Sequence, residues 1–230
     1  MPVAGRILSL LAERPRLIVS LPANSPELAR AAADGGAEAL KVHIRVRHDA
    51  SGTQFGSLAE ERANLERILA LGLPTGIVPG AGDHLPTLQE MQELAAMGLD
   101  FFDLYVHDTP AWLVGFAGMT RAVAISEVAQ CDQLRDLEAL GFELIEAAVV
   151  PHEGYGKPLS VADLVAYRQV RGATQLPIIV PTQRAIRPEE APILLRETGV
   201  NALMIGAIVT GRKPTSLRAA TEQFAAAMRG

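Results

Sequence analysis

Along the whole chain, short apolar runs rich in β-branched residues alternate with longer amphipathic stretches, and no change of composition marks a linker. The short runs are read as strands at Leu17–Ser20, Leu40–Val46, Gly76–Val78, Phe102–Val106, Ala122–Ser126, Leu144–Val150, Ile178–Val180 and Leu203–Ile205. Between them the spacing predicts helices over Pro26–Ala33, Leu58–Leu71, Leu85–Met97, Glu127–Leu140, Val161–Arg171, Pro188–Glu197 and Leu217–Met228, with a short irregular segment at Pro110–Ala117. Glycines at 35–36, 72, 98, 141 and 199 stand between helix and strand, the usual place for a helix C-cap. Strand and helix in steady succession favour parallel pairing with right-handed crossovers, and eight units close into a (β/α)8 TIM barrel. The expected architecture is therefore one α/β domain over residues 1–230, with an N-terminal extra helix covering the barrel bottom. An open doubly wound sheet would need a phosphate-binding glycine fingerprint after the first strand, and SLPANS is not one.

Composition narrows the function classes. Lys and Arg number 21 against 26 Asp and Glu, a net charge of −5, and aromatics are 4% of the chain, which argues against a nucleic-acid partner. The single cysteine, Cys131, excludes an intrachain disulfide framework and a Cys-rich zinc site. VAGRILSLLAERPR near the N-terminus is interrupted by Arg6 and Glu13 and does not read as a signal peptide. No run is long and apolar enough for a membrane span, so a cytoplasmic protein without a membrane partner is expected. The Trp112/Phe116 segment offers a surface for self-association into a homo-oligomer.

Strand alternation then assigns side chains to faces. In the second strand Leu40, Val42, Ile44 and Val46 form the apolar set, so Lys41, His43 and Arg45 turn inward or upward. In the fourth, Phe102, Leu104 and Val106 face outward and Asp103, Tyr105 and His107 inward; in the sixth, Glu146 is flanked by apolar residues. Burying an isolated charge costs several kcal/mol, so Lys41, Asp103 and Glu146 are expected to partner one another or a ligand. Lys41, Asp103, Glu146 and His107 are the candidate catalytic residues. His43 and Arg45 are candidate substrate contacts near the C-terminal rim, where barrel active sites lie. His43, His48, His107 and Asp108 carry no metal-ligand spacing, and neither a metal nor a cofactor is expected.

The last third is a strand, a loop, a helix, then a strand ending in Gly206-Ala207 before a short turn. The loops after the last two strands of a barrel often hold a phosphate on backbone N–H groups, which makes Thr182, Gly206 and Ala207 candidate anion contacts. LIVSLPANSPELARAAADGGAEALKV and TGVNALMIGAIVTGRKPTSLRAATEQF together resemble the ribulose-phosphate-binding barrel superfamily, and within it the N-acetylmannosamine-6-phosphate 2-epimerase family. The resemblance implies a phosphorylated small-molecule substrate, aligns Lys41 with a second-strand arginine and Gly206 with a phosphate-binding glycine. It also shows departures: Pro79 stands where that family has its catalytic lysine, and Pro181-Thr182 where it has its catalytic glutamate. VVPHEGYGKPLS is similar to the loop that closes over phosphosugars in pentulose-phosphate epimerases, and brings in His152 as a substrate contact, while His48 to Ser57 forms a second long loop read as a lid.

Three functions fit these residues. One is isomerase- or epimerase-like proton transfer on a phosphorylated sugar or similar metabolite, with Glu146, Asp103 and His107 as acids or bases and Lys41 and Arg45 as electrostatic partners. Another is Schiff-base aldolase or lyase chemistry at a Lys41 of lowered pKa. The third is a barrel that binds a phosphorylated metabolite without turning it over.

Overall fold

In the computed structural model, which describes residues 5–229, eight parallel strands close into a barrel. Residues 1–4 and 230 of the expected 1–230 domain lie outside the described part. The ten strands are β1 (Arg16–Ser20), β2 (Ala39–His43), β3 (Arg47–His48), β4 (Thr53–Gln54), β5 (Thr75–Val78), β6 (Phe101–Tyr105), β7 (Thr120–Ile125), β8 (Leu144–Ala147), β9 (Ile178–Pro181) and β10 (Ala202–Ile205). The barrel runs β1, β2, β5, β6, β7, β8, β9, β10 and closes on β1, so each barrel strand pairs with its neighbours in chain order. Strands β3 and β4 form a separate antiparallel hairpin above it. The helices are α1 (Arg6–Glu13), α2 (Pro26–Asp34), α3 (Leu58–Leu69), α4 (Leu88–Met97), α5 (Leu134–Ala139), α6 (Val161–Ala173), α7 (Ala191–Thr198), α8 (Ala207–Thr210) and α9 (Pro214–Ala227).

Local chemistry sets most boundaries. Ser57 with Glu60, Thr87 with Glu90 and Ser160 with Asp163 build reciprocal capping boxes at the starts of α3, α4 and α6. Gly98 and Gly199 close α4 and α7 in the left-handed conformation that a side chain disfavours. Several expected limits shift. The helix expected from Leu85 begins at Leu88, because Pro86 supplies no N–H and Thr87 caps the first turn. The one expected at Glu127–Leu140 is a 3-10 turn over Val128–Gln133 followed by α5, with the Gln130 side chain accepting from Ser126 N at the entrance. The second strand ends at His43 rather than Val46, since Arg45 takes φ 55° and starts the climb into the hairpin. The fourth ends at Tyr105, where Val106–Asp108 coils into a 3-10 turn.

Two apolar layers hold the barrel. Outward residues such as Val19, Val42, Phe102, Val123, Ile145 and Ile205 pack under the helices. Inside, Ile18, Phe101, Leu144, Ile179 and Met204 fill the floor against Ala39, Ala122 and Ala202, and Ile7 and Leu11 of α1 close it from below. Asp100 Oδ1 accepts from Ile7 N at 2.8 Å and fixes α1 there. Gly76 is what lets Phe101 lie across the floor: a Cβ at 76 would stand 2.1 Å from the ring. Gly76→Ala is therefore expected to destabilise the protein by about 2–3 kcal/mol through overpacking, read by denaturant unfolding, and Phe101→Leu in the same chain should recover part of the loss. No helix among the described residues is long and apolar enough to cross a membrane. Trp112 is partly exposed beside Leu88 and Phe116 on the outer surface.

Candidate functional site

Above the apolar floor the alternation of strand residues lifts a polar layer. Phe101 is followed two residues on by Asp103, Ala39 by Lys41 and Leu144 by Glu146, each at the same height in the barrel interior. The Lys41 ammonium donates to Asp103 Oδ2 at 2.7 Å and to Glu146 Oε2. All three are nearly inaccessible to solvent, at 5%, 2% and 8% exposure. Burial works against the Lys41 charge, yet the two carboxylates outweigh it and hold its pKa above the ordinary lysine value. Burial, with the Asp103 carboxylate beside it, pushes Glu146 well above the usual carboxylate range despite Lys41. Asp103 Oδ1 is buried and has no hydrogen-bond partner among the described residues, and a proton on Glu146 gives that carboxylate a donor.

This triad is the base of a cavity of about 160 Å³, far larger than one water needs. Its walls carry Ser20, Val78, Leu104, Tyr105, Ala148 and Met204, and its rim includes Thr182, Gln183 and Gly206. His43 sits on the wall two residues after Lys41; burial, with His48 and Lys41 nearby, drives its pKa well below the usual histidine value, so its ring is neutral. At the rim Thr182 Oγ1 accepts from Gly206 N at 2.9 Å. A Cβ on Gly206 would meet only Ser20, at 3.7 Å, so packing does not demand glycine there; the space it leaves belongs to the cavity mouth. The first N–H groups of α8, those of Ala207 and Ile208, have no acceptor within their own short helix.

The structure thus gathers Lys41, Asp103, Glu146, His43, Thr182 and Gly206 around one cavity, and leaves four other sequence candidates off its wall. Arg45 lies beyond the end of β2 and its guanidinium clasps Glu90 at the start of α4, with Nη1 2.8 Å from Oε2. That hydrogen bond holds Glu90 down at about 2. His107 is carried out to solvent by the 3-10 turn that ends β6 and stacks on Tyr105. His152 is exposed on the loop after β8, stacked on Tyr155 and 3.3 Å from Asp49 of the hairpin. Ala207 opens α8 just beyond the lining residue Gly206. Among the described residues no three His, Cys, Asp or Glu side chains converge to hold a metal ion.

Several wall residues were not singled out by the sequence reading. Gln183 donates to Tyr155 Oη at 2.7 Å and to Ala148 O, and accepts from Val150 N, which ties the loop after β8 to the rim. The hairpin contributes Arg47, His48 and Asp49 to the roof. Its signal was present in the sequence: a Gly52-containing turn between residues of strand propensity.

The fold is a (β/α)8 barrel, and this cavity lies at the C-terminal ends of its strands. No protein-family model matches the sequence, and no curated protein sequence matches it. Among solved structures, a tryptophan synthase from Mycobacterium tuberculosis aligns over 99% of this chain and 99% of its own, with a TM-score of 0.76 at 17% identity. An N-acetylmannosamine-6-phosphate 2-epimerase from Clostridium perfringens aligns over 91% of this chain and 94% of its own, with a TM-score of 0.63 at 19% identity. The phosphoribosyl anthranilate isomerase of Thermotoga maritima aligns over 94% and 99%, with a TM-score of 0.69 at 15% identity. At these identities the likeness is one of fold.

Proposed function

We propose that this chain is an enzyme that moves a proton next to a carbonyl in a phosphorylated sugar or similar phosphorylated metabolite, an isomerase or epimerase. The observation that carries the reading is the Lys41, Asp103 and Glu146 triad at the base of the cavity. Two carboxyls holding one proton between them can take a proton from carbon and give one back, and the pair titrates as a unit. The Lys41 ammonium faces the negative charge that develops on oxygen when the carbon is deprotonated. Schiff-base chemistry is disfavoured: addition to a carbonyl needs a neutral amine, and Asp103 and Glu146 together hold the Lys41 pKa above the ordinary lysine value.

The phosphorylated substrate is inferred from the open glycine at the rim, and from two barrels that share the fold and are named for an N-acetylhexosamine 6-phosphate and a phosphoribosyl compound. The test is thermal unfolding with inorganic phosphate, ribulose 5-phosphate and unphosphorylated ribulose. A ligand bound only by the folded state at 100 times its Kd adds about 2.7 kcal/mol. The phosphorylated compound should raise Tm and ribulose should not. Gly206→Val, whose extended backbone tolerates a side chain, should keep the unliganded Tm and lose the shift. A panel in which no phosphorylated compound raises Tm would remove this reading.

A further inference from the structure

The hairpin over the cavity carries an imidazole whose hydrogen bonding is fixed from outside the site. Strands β3 and β4 pair Arg47 with Gln54 and His48 with Thr53. The base of the hairpin is pinned by Arg45 N to Gly56 O at 2.8 Å and Phe55 N to Val46 O at 3.0 Å, and its far strand by Thr53 Oγ1 to Pro22 O at 2.7 Å. Behind the His48 ring, His43 lies with centroids 4.6 Å apart, and Phe55 packs on His43 at 4.8 Å. His48 therefore sits in a fixed place on the cavity roof, above the strand that carries Lys41. Strand β2 lies diametrically across the barrel from β8 and Glu146, with three strands between them either way round.

Ser51, buried within the hairpin turn, stands where it can set which ring nitrogen carries the proton. Its Oγ accepts from Thr53 N at 3.3 Å and lies 2.9 Å from His48 Nδ1. A hydroxyl has one proton to give, and among the described residues His48 Nδ1 is the acceptor in reach. The proton of a neutral His48 is then on Nε2, which has no hydrogen-bond partner among the described residues. The ring stays neutral at ordinary pH, because burial and the Lys41 ammonium hold its pKa down at about 4.

Resting on the proton-transfer reading above, we propose that His48 is a further catalytic residue, whose Nε2–H donates a hydrogen bond to the substrate carbonyl oxygen from the roof, with Ser51 as the positioning residue that fixes this tautomer. The oxygen that gains charge as the carbon loses its proton then has donors on two sides, Lys41 from the floor and His48 from above. A neutral imidazole suits this place: it gives a hydrogen bond without adding a second cation beside Lys41.

The test uses a phosphorylated hydroxamate, phosphoglycolohydroxamate, as a mimic of the enediolate, with inorganic phosphate as the control ligand, each titrated by calorimetry. Wild-type protein should bind the mimic, and His48→Ala should weaken it about 10²-fold while phosphate binding is unchanged. His48→Gln, which restores an N–H donor, should recover part of the loss. Nitrogen-15 spectra should show His48 protonated on Nε2 in the wild type and as mixed tautomers in Ser51→Ala. Thermal melts of each variant establish that it is folded. Equal mimic affinity in wild type and a folded His48→Ala, or a wild-type His48 protonated on Nδ1, overturns this proposal alone. Failure of wild-type protein to bind either the mimic or phosphate overturns the phosphorylated-substrate reading and this proposal with it.

Discussion

Lys41→Met is expected to lower the unfolding free energy by about 3–5 kcal/mol at pH 8, the cost of stranding buried carboxylates without their cation. The methionine stem fills the same space, so packing contributes little to the loss. The pH dependence separates charge from packing. In the wild type Lys41 has a folded-state pKa raised above the ordinary 10.5, so its contribution is fully present below that value and is lost only at still higher pH. In the variant, Asp103 and Glu146 face each other alone. The pair then holds a proton more tightly in the folded state, so the folded protein binds more protons than the unfolded chain and stability must fall as pH rises above about 4.5. Lowering the pH from 8 toward 4.5 should thus restore much of the stability of Lys41→Met. Denaturant titrations across that range measure it. A variant as stable as the wild type at pH 8 would mean that the two carboxyls do not depend on Lys41.

The second large effect separates stability from activity. Glu146→Gln replaces a carboxyl whose raised pKa favours its neutral form by a neutral amide of the same shape, which can still accept from Lys41 and donate to Asp103. At neutral pH the variant should keep wild-type stability within about 1 kcal/mol. Its catalysed proton exchange should drop by about 10² to 10⁴-fold, because an amide carries no transferable proton. The sign with pH is also fixed. The wild-type Glu146 carboxyl has a raised folded-state pKa, so its contribution is fully present below about 4.5 and declines as pH rises toward the folded value. Glu146→Gln removes that slope and should be relatively more stable as the solution becomes alkaline. A loss of several kcal/mol at neutral pH would instead show that an ionised Glu146 was needed.

The barrel was legible in the sequence because its evidence is repeated along the chain: eight runs of strand propensity, glycine punctuation and capping residues all report the same local states. The triad was legible for a related reason. Polar residues at inward positions of Leu40-Lys41-Val42, Phe102-Asp103-Leu104 and Ile145-Glu146-Ala147 have few places to go but toward one another. What alternation cannot give is where it stops. Arg45 and His107 continue the inward pattern on paper, but β2 and β6 end before them, in a left-handed turn and a 3-10 turn. Beyond those ends the parity of the strand no longer decides direction, and each side chain follows its nearest partner, Glu90 for Arg45 and the Tyr105 ring for His107. His48 was hidden for the converse reason: its place on the roof depends on hairpin pairing and on stacking with His43, contacts that no local periodicity encodes. The tautomer fixed by Ser51 depends on the turn 49–52 between β3 and β4.

The central claim is that the Lys41, Asp103 and Glu146 triad exchanges a proton with carbon in a phosphorylated substrate. Its most direct measurement is solvent deuterium incorporation by mass spectrometry, with ketose, aldose and N-acetylhexosamine phosphates incubated with the protein in D2O. The expected result is deuterium on the carbon next to the carbonyl of at least one compound, slowed about 10²-fold or more by Glu146→Gln. Absence of exchange in every phosphorylated compound that raises the wild-type Tm would contradict it.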